Sequence, residues 1–264
     1  MHKLTTQISL LLVALMILPL VAQAGEKNAK SIDCGKLLKG VAHFTDNDVR
    51  FKTKDSIVIF IDPMSGPEKE IIKQCNFITP DLILITHAHS DHFQMEILKA
   101  YSKINPKVII AGPPDIVQVL ADSDINNTKS LEPGKDYSLA DVKFETVPAY
   151  FLRGDSHPKA NGWMGYILKI NNARYYVTGD TEAIPEMESI TADVLFPLVY
   201  GCGGNVANVV KMAKIIKPAL VVPVHTGGNP EAIKKCIDAM PKGVASTYFI
   251  DGKMLTEKIQ TASD

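Results

Sequence analysis

The chain has only four cysteines in 264 residues, and no two of them form a Cys-x-x-Cys pair. Metal or redox chemistry built on paired thiolates therefore has no basis here. An excess of either charge is also missing. Lys and Arg number 28 against 29 Asp and Glu, and no block of like charge occurs. That balance gives no electrostatic reason to bind nucleic acid or an anionic membrane surface. A Gly-x-Ser-x-Gly element is absent too, so a serine hydrolase mechanism is unsupported. There is no internal repeat and no low-complexity tract.

The amino terminus reads as an export signal, residues 1–24. Met1-His2-Lys3 is a short positive start, Ile8 to Val21 is apolar, and Ala22-Gln23-Ala24 is a small-x-small cleavage site before Gly25. The apolar stretch is short for a permanent span, which favours removal over a retained anchor. No cysteine follows the cleavage site, so lipid anchoring is not indicated. The expected mature chain, residues 25–264, is periplasmic or secreted and forms one large domain or a compact two-halved one. Loss of Lys3 leaves 27 basic residues and a formal charge of −2. In an oxidising compartment Cys34, Cys75, Cys202 and Cys236 would by default form one or two disulfides, whose pairing the sequence cannot rank. Cys202 lies in the Gly-rich stretch Tyr200 to Gly204 and could instead approach a metal.

Short apolar runs bounded by turn residues predict strands at Ser56–Asp62, Leu82–Thr86, Val108–Ala111, Val142–Val147, Gly165–Ile170 and Ala173–Thr178. Further runs follow at Val194–Pro197, Leu220–Pro223 and Thr247–Ile250. Asn171-Asn172 signals a tight hairpin. Helices are predicted over Gln94–Lys103, Asp115–Ala121, a segment marked by Val206, Val209, Val210 and Ile215, and Glu231–Met240. The alternation points to an α/β protein with mixed sheets.

What the chain does have is His87-Ala88-His89-Ser90-Asp91-His92, directly after the apolar run Leu82 to Ile85. Three imidazoles and a carboxylate in one turn are the ligands that suit zinc, manganese or iron. Five of the seven histidines lie in this string or in two other motif-like places. Asp180 follows a strand-like run in Gly179-Asp180-Thr181, His225 ends the run Leu220 to Val224, and His157 precedes the strand that begins at Gly165. Taken singly, these three read as a turn residue, a structural histidine and an exposed loop residue.

Together they resemble the metallo-β-lactamase superfamily, whose His-x-His-x-Asp-His motif is His87 to His92 here. The likeness is greatest to the branch that holds ascorbate-6-phosphate lactonase and many uncharacterised metal-dependent hydrolases. It is carried by Ile61-Asp62-Pro63, Val147-Pro148-Ala149-Tyr150, Asn161 to Tyr166, and Gly179-Asp180-Thr181 with Ile184 to Met187. The resemblance implies a four-layer αββα sandwich of two mixed β-sheets with two divalent metal ions at one edge, zinc first, manganese or iron as alternatives. It implies that His87, His89 and His157 hold one ion, that Asp91, His92 and His225 hold the other, and that Asp180 bridges. Relatives place the equivalent of His157 at differing distances. Two departures stand out: Asp46-Asn47-Asp48 replaces a Gly-His-Ala element, and Gly-Cys-Gly-Gly replaces a longer polar loop after Pro197. Both border the expected substrate. Trp163 is read as packing and part of the pocket wall, and His43 as structural.

The expected activity is hydrolysis of a small-molecule ester, lactone or phosphoester by a water activated between two cations, with Asp91 as a proton acceptor. A bridging Asp180 argues against a β-lactam hydrolase. An iron-dependent redox enzyme of the same superfamily is the alternative class, though the chain carries no accessory flavin domain. A non-catalytic metal-binding protein is a third. Amino-terminal sequencing of the exported protein is expected to begin at Gly25, and a chain that retains Met1 would overturn the cleaved leader.

Overall fold

A computed structural model describes residues 33–45, 47–74, 76–199, 205–227, 229–250 and 253–254. The expected leader, Cys75 and residues 200–204 with Cys202 lie outside them. After a short helix α1 (Cys34–Leu37), six strands form the first sheet: β1 (Val41–His43), β2 (Val49–Lys52), β3 (Val58–Ile61), β4 (Leu82–Leu84), β5 (Ile109–Gly112) and β6 (Thr128–Ser130). They lie in sequence order, the first three antiparallel and the rest parallel. The crossovers carry α2 (Glu70–Gln74), α3 (Met95–Ile104) and α4 (Pro114–Ala121).

The second sheet has seven strands: β7 (Asp136–Leu139), β8 (Val142–Pro148), β9 (Met164–Ile170), β10 (Ala173–Val177), β11 (Val194–Phe196), β12 (Leu220–Val221) and β13 (Ala245–Ser246). From β7 to β10 neighbours are antiparallel, and from β10 to β13 they are parallel. Helices α5 (Val206–Ile216) and α6 (Pro230–Asp238) cross over between its last strands. A separate pair, β14 (Phe249–Ile250) and β15 (Lys253–Met254), follows.

Burial on both faces explains why the central strands read as continuous apolar runs. In β3 and β4, Ile59, Ile61, Leu82 and Leu84 meet Tyr166, Tyr175, Val177 and Phe196 of the other sheet. Their neighbours Phe60 and Ile83 point outward, onto Leu98 and Tyr101 of α3 and Ile116 and Leu120 of α4. The second sheet turns Ile167, Tyr176, Leu195 and Val221 onto Val209, Met212 and Ala213 of α5 and Cys236 of α6. This is the expected four-layer sandwich of two mixed sheets with flanking helices.

Local chemistry sets the element ends. Asn171 and Asn172 both have positive φ, 51° and 66°, which is the two-residue hairpin turn their sequence predicts. Gln94 becomes the residue before α3 rather than its first. The predicted strand Thr247–Ile250 is a correction. Thr247 N–H makes a ladder bond, to Val221 O, and the chain then leaves the second sheet for the β14–β15 pair. The disulfide expectation is also revised: Cys34 and Cys236 are free thiols buried in two different core layers. Burial pushes the Cys236 thiol up to about 12.

Strand β2 escapes prediction because its centre is a charge. Arg50 is fully buried, with Nε 2.7 Å from Asp48 Oδ1 and Nη2 2.8 Å from Asp48 Oδ2. Its remaining donors reach Phe77 O, Ser65 O and the Tyr101 hydroxyl, and its guanidinium lies 4.1 Å from the Phe60 ring centroid. Asp48 in turn accepts the N–H groups of Met64 and Ser65. A buried pair persists only when every polar atom is satisfied in this way. Arg50→Met strands the Asp48 carboxylate, and urea unfolding is expected to show a loss of about 3–5 kcal/mol, with Asp48→Asn in the same chain recovering part of it.

Candidate metal centre

The residues of interest sit at strand ends along one edge of the sandwich. The His87–His92 segment leaves β4, and its curl is held by His92 N–H and Phe93 N–H on His89 O. Asp180 follows β10 through Gly179, whose φ is +60° and where a side chain's Cβ would lie 3.0 Å from Thr86 Cβ. His225 follows Val224, which bridges to Leu198. His157 stands on the connection from β8 to β9, closed by Phe151 N–H on His157 O. Two non-glycine residues here adopt left-handed backbone, Asp62 at φ 46° and His225 at φ 52°. Strain at such positions persists where the surrounding structure fixes it, often at functional sites.

All seven expected residues come together. His87, His89, His157 and Asp180 have donor atoms within 4.8 Å of one another, and Asp91, His92 and His225 form a second such group. Asp180 lies between them. Its Oδ1 is 3.2 Å from His92 Nε2, and its Oδ2 is 3.6, 3.7 and 3.9 Å from Nε2 of His157, His225 and His87. His157 is fully buried rather than an exposed loop residue. Asp91 and His89 are partly exposed and face the open side.

The donor set fits cations. Asp180 is 1% exposed, yet neither of its oxygens has a hydrogen-bond partner among the described residues. A buried, unpaired carboxylate is costly unless a positive charge reaches it. The Nε2 atoms of His87 and His157 face each other at 3.3 Å. Outer contacts show which nitrogen faces inward. Thr86 donates its hydroxyl to Asp62 Oδ2 at 2.6 Å, so its oxygen can accept from His87 Nδ1 at 2.9 Å. His92 Nδ1 donates to Asp62 Oδ2 at 2.7 Å. Both arrangements leave Nε2 with a free lone pair, and such outer partners orient metal-ligating imidazoles. His157 has no such partner at Nδ1 among the described residues; Phe151 and Trp163 rings pack around it instead, at 4.5 and 5.0 Å. Trp163 also lies 5.1 Å from His87 and 5.0 Å from His89, and donates Nε1–H to Asp115.

Electrostatics divide the cluster. Burial pushes His87 well below the ordinary histidine value and His157 down to about 4. Burial also acts to strip His92, but Asp62 and Asp180 reverse this and hold it up to about 10. Burial alone would raise Asp180, and the imidazoles of His92, His87 and His225 instead hold it below the carboxylate range. A positive charge is drawn to the space between His92, Asp62 and Asp180, where a proton or a metal ion can supply it.

Thr86 does not stand out in the sequence, Asp62 enters only within the matching Ile61-Asp62-Pro63, and Asn47 only within a loop expected to border the substrate. An acid just beyond an apolar strand, as in Ile61-Asp62-Pro63, is the available signal for Asp62, the same signal that marks Asp180. Asn47 donates Nδ2–H to Asp91 O at 2.9 Å, and the same nitrogen lies 2.8 Å from His92 Nε2. With Asp62, His92, Gly179, Asp180 and His225 it lines a narrow pocket. Larger surface clefts, between β7–β8 and residues 186–190 and beside the β9–β10 turn, contain none of the seven.

A two-sheet sandwich with a His/Asp cluster at its strand ends defines a class of metal-dependent enzymes. Residues 41–225 match the sequence profile of the family described as "Beta-lactamase superfamily domain", and the chain belongs to that superfamily. It is 31% identical over 191 residues to a UPF0173 protein of Pyrococcus abyssi, covering 70% of this chain and 83% of the relative. A UPF0173 metal-dependent hydrolase of Pyrococcus furiosus is 29% identical over 217 residues, covering 74% and 91%. Among solved structures, a protein from Parabacteroides distasonis assigned as a metal-dependent hydrolase superposes with a TM-score of 0.67 at 27% identity, covering 81% and 92%.

The opposing shifts set a stability profile for the metal-free protein. Below about pH 6.5 the unfolded chain takes up protons that folded His87 and His157 refuse, so stability falls toward pH 4. Above about pH 6.5 folded His92 keeps a proton that the unfolded chain has lost, so stability falls again toward pH 10. Asp62, raised by burial, opposes the acid limb. Urea midpoints of chelator-treated protein are expected to peak near neutrality, and a midpoint that climbs steadily from pH 7 to 9 would refute the His92 assignment.

Proposed function

We propose that this metal-dependent hydrolase holds two divalent ions, zinc first, and cleaves a small ester, lactone or phosphoester after export from the cytoplasm. The observation that carries the reading is Asp180, a buried carboxylate with no hydrogen-bond partner among the described residues, facing four imidazole Nε2 atoms at 3.2–3.9 Å. Its Oδ1 lies nearest His92 of the second group, and its Oδ2 lies near His157 and His87 of the first and His225 of the second, so the carboxylate stands between the two groups. His87, His89 and His157 would hold one ion, and Asp91, His92 and His225 the other. When bound, the ions supply an activated water and polarise the oxygen of the scissile group.

The residues divide the remaining work. Five imidazoles and two carboxylates form a donor set poor in negative charge, which favours oxygen anions that develop in the reaction. Asp91 is the acid with access to solvent: its side chain is 44% exposed, and its Oδ2 lies 3.1 Å from His225 Nε2. From there it can take a proton from the attacking water and pass it to the leaving group. Asp62 and Thr86 keep His87 and His92 turned with Nε2 inward. Trp163 and Phe151 exclude water from the His157 side.

The test is metal content of the mature protein beside Asp180→Ala, followed by a panel of esters, lactones, phosphodiesters and β-lactams. About two zinc ions per chain are expected. The variant should lose metal, and activity should fall beyond the roughly 10–100-fold typical of an outer partner. Iron with a visible absorption band would put the redox reading first. Turnover of β-lactams alone would overturn the substrate class, and absence of metal from intact protein would overturn the site.

A further inference from the structure

We propose that Asn47 is a substrate-binding residue of this site, whose side-chain amide donates a hydrogen bond to an anionic or carbonyl oxygen held beside His92 and Asp180. The inference rests on the hydrolase reading and names a donor that the seven-residue cluster lacks. His87 and His92 already commit their Nδ1 atoms to Thr86 and Asp62, so neither has an N–H to offer a substrate.

Asn47 is 4% exposed and sits in the turn between β1 and β2. Its backbone is held in place, and only the side chain is left to turn. The turn is closed by Asp48 N–H on Thr45 O at 2.7 Å and by Phe44 N–H on Asp48 O at 3.1 Å. The next residue, Asp48, is locked to Arg50 by two contacts and also receives Met64 and Ser65 N–H. A donor anchored this way loses little freedom when it engages a ligand, which is the condition under which a fixed dipole aids catalysis.

The amide nitrogen has two hydrogens. One is used by Asp91 O at 2.9 Å. The other faces His92 Nε2 at 2.8 Å, the same lone pair that would ligate a cation. Once a cation takes that lone pair, this hydrogen loses His92 as its partner, and Asn47 lines the narrow pocket beside Asp180 and His225. An unsatisfied buried N–H there favours any ligand that brings an oxygen to the cation. Phosphate, phosphoester and carboxylate oxygens all meet that requirement. The rival role is a brace: Asn47 would merely hold the Asp91–His92 backbone, and its loss would then act through the metal ligands.

Inorganic phosphate is the probe. Its binding to the metal-loaded full chain is measured by calorimetry for the wild type, Asn47→Ala and the near-isosteric Asn47→Asp, beside metal count and metal affinity by chelator competition. The expected result is phosphate affinity lowered about 10-fold or more in both variants, as for loss of a hydrogen bond to a charged group, with metal count and affinity kept. Should the alanine variant fail to fold, the aspartate variant carries the comparison. Unchanged phosphate affinity overturns the proposal, as does a wild type that binds no phosphate. Loss of metal affinity in the variants also overturns it, in favour of the brace. None of these outcomes bears on the hydrolase reading, which fails separately if the loaded wild type turns over nothing in the ester and phosphoester panel.

Discussion

A buried carboxylate without a hydrogen-bond partner among the described residues is the constraint around which this protein is arranged. Asp180 is shut away from solvent at the end of β10, and its neighbours are imidazole nitrogens rather than N–H donors from the backbone. Left alone, such a group would be a fault in the core. Surrounded by His87, His92, His157 and His225, it becomes the centre of a charge-seeking pocket. The tight turn at Gly179 and the left-handed backbone of His225 make sense as the geometry needed to bring those atoms to one point.

Around that centre lies a second set of contacts that does not touch the pocket's middle but fixes its edges. Asp62 receives His92, the Thr86 hydroxyl and the Thr86 backbone N–H, so one carboxylate orients two histidines at once. On the other side, the Asp48–Arg50 pair ties the β1–β2 turn to the loop at Ser65 and to Tyr101 of α3. Both acids sit beside strand ends of the first sheet, and both are buried. Rigidity at the site is thus supplied by polar groups that are each satisfied, which is the condition for such networks to specify one structure.

Much of this is legible in the sequence. The strands that are buried on both faces announce themselves as apolar runs, and the αββα layering follows from the resemblance carried by His87 to His92. Less visible are β2, where a buried Arg50 breaks the apolar pattern, and the edge strands β6 and β7, whose Thr-Lys-Ser and Asp-Tyr-Ser-Leu stretches are largely exposed and carry no burial signal. The seven cluster residues can be named because histidine is scarce here. Thr86 cannot, and Asp62 and Asn47 appear only as members of a matching stretch and of a loop near the substrate, since acids, threonines and asparagines in loops are common and their roles depend on distances that only the fold sets. The free thiols of Cys34 and Cys236 show the converse: composition suggests pairing, and separate core layers deny it to these two.

Each group of donors draws on both sheets. His87, His89, Asp91 and His92 belong to the first, whereas His157, Asp180 and His225 belong to the second. Any ion held by either group is therefore a clasp between the two halves of the sandwich. Ligation of this kind adds to the cohesion of the entire fold by mass action, about 2.7 kcal/mol at a hundredfold excess over the dissociation constant. Starvation for the ion would accordingly be felt as looser packing between the sheets, and the lifetime of the protein would track the supply of metal as much as its catalytic competence does.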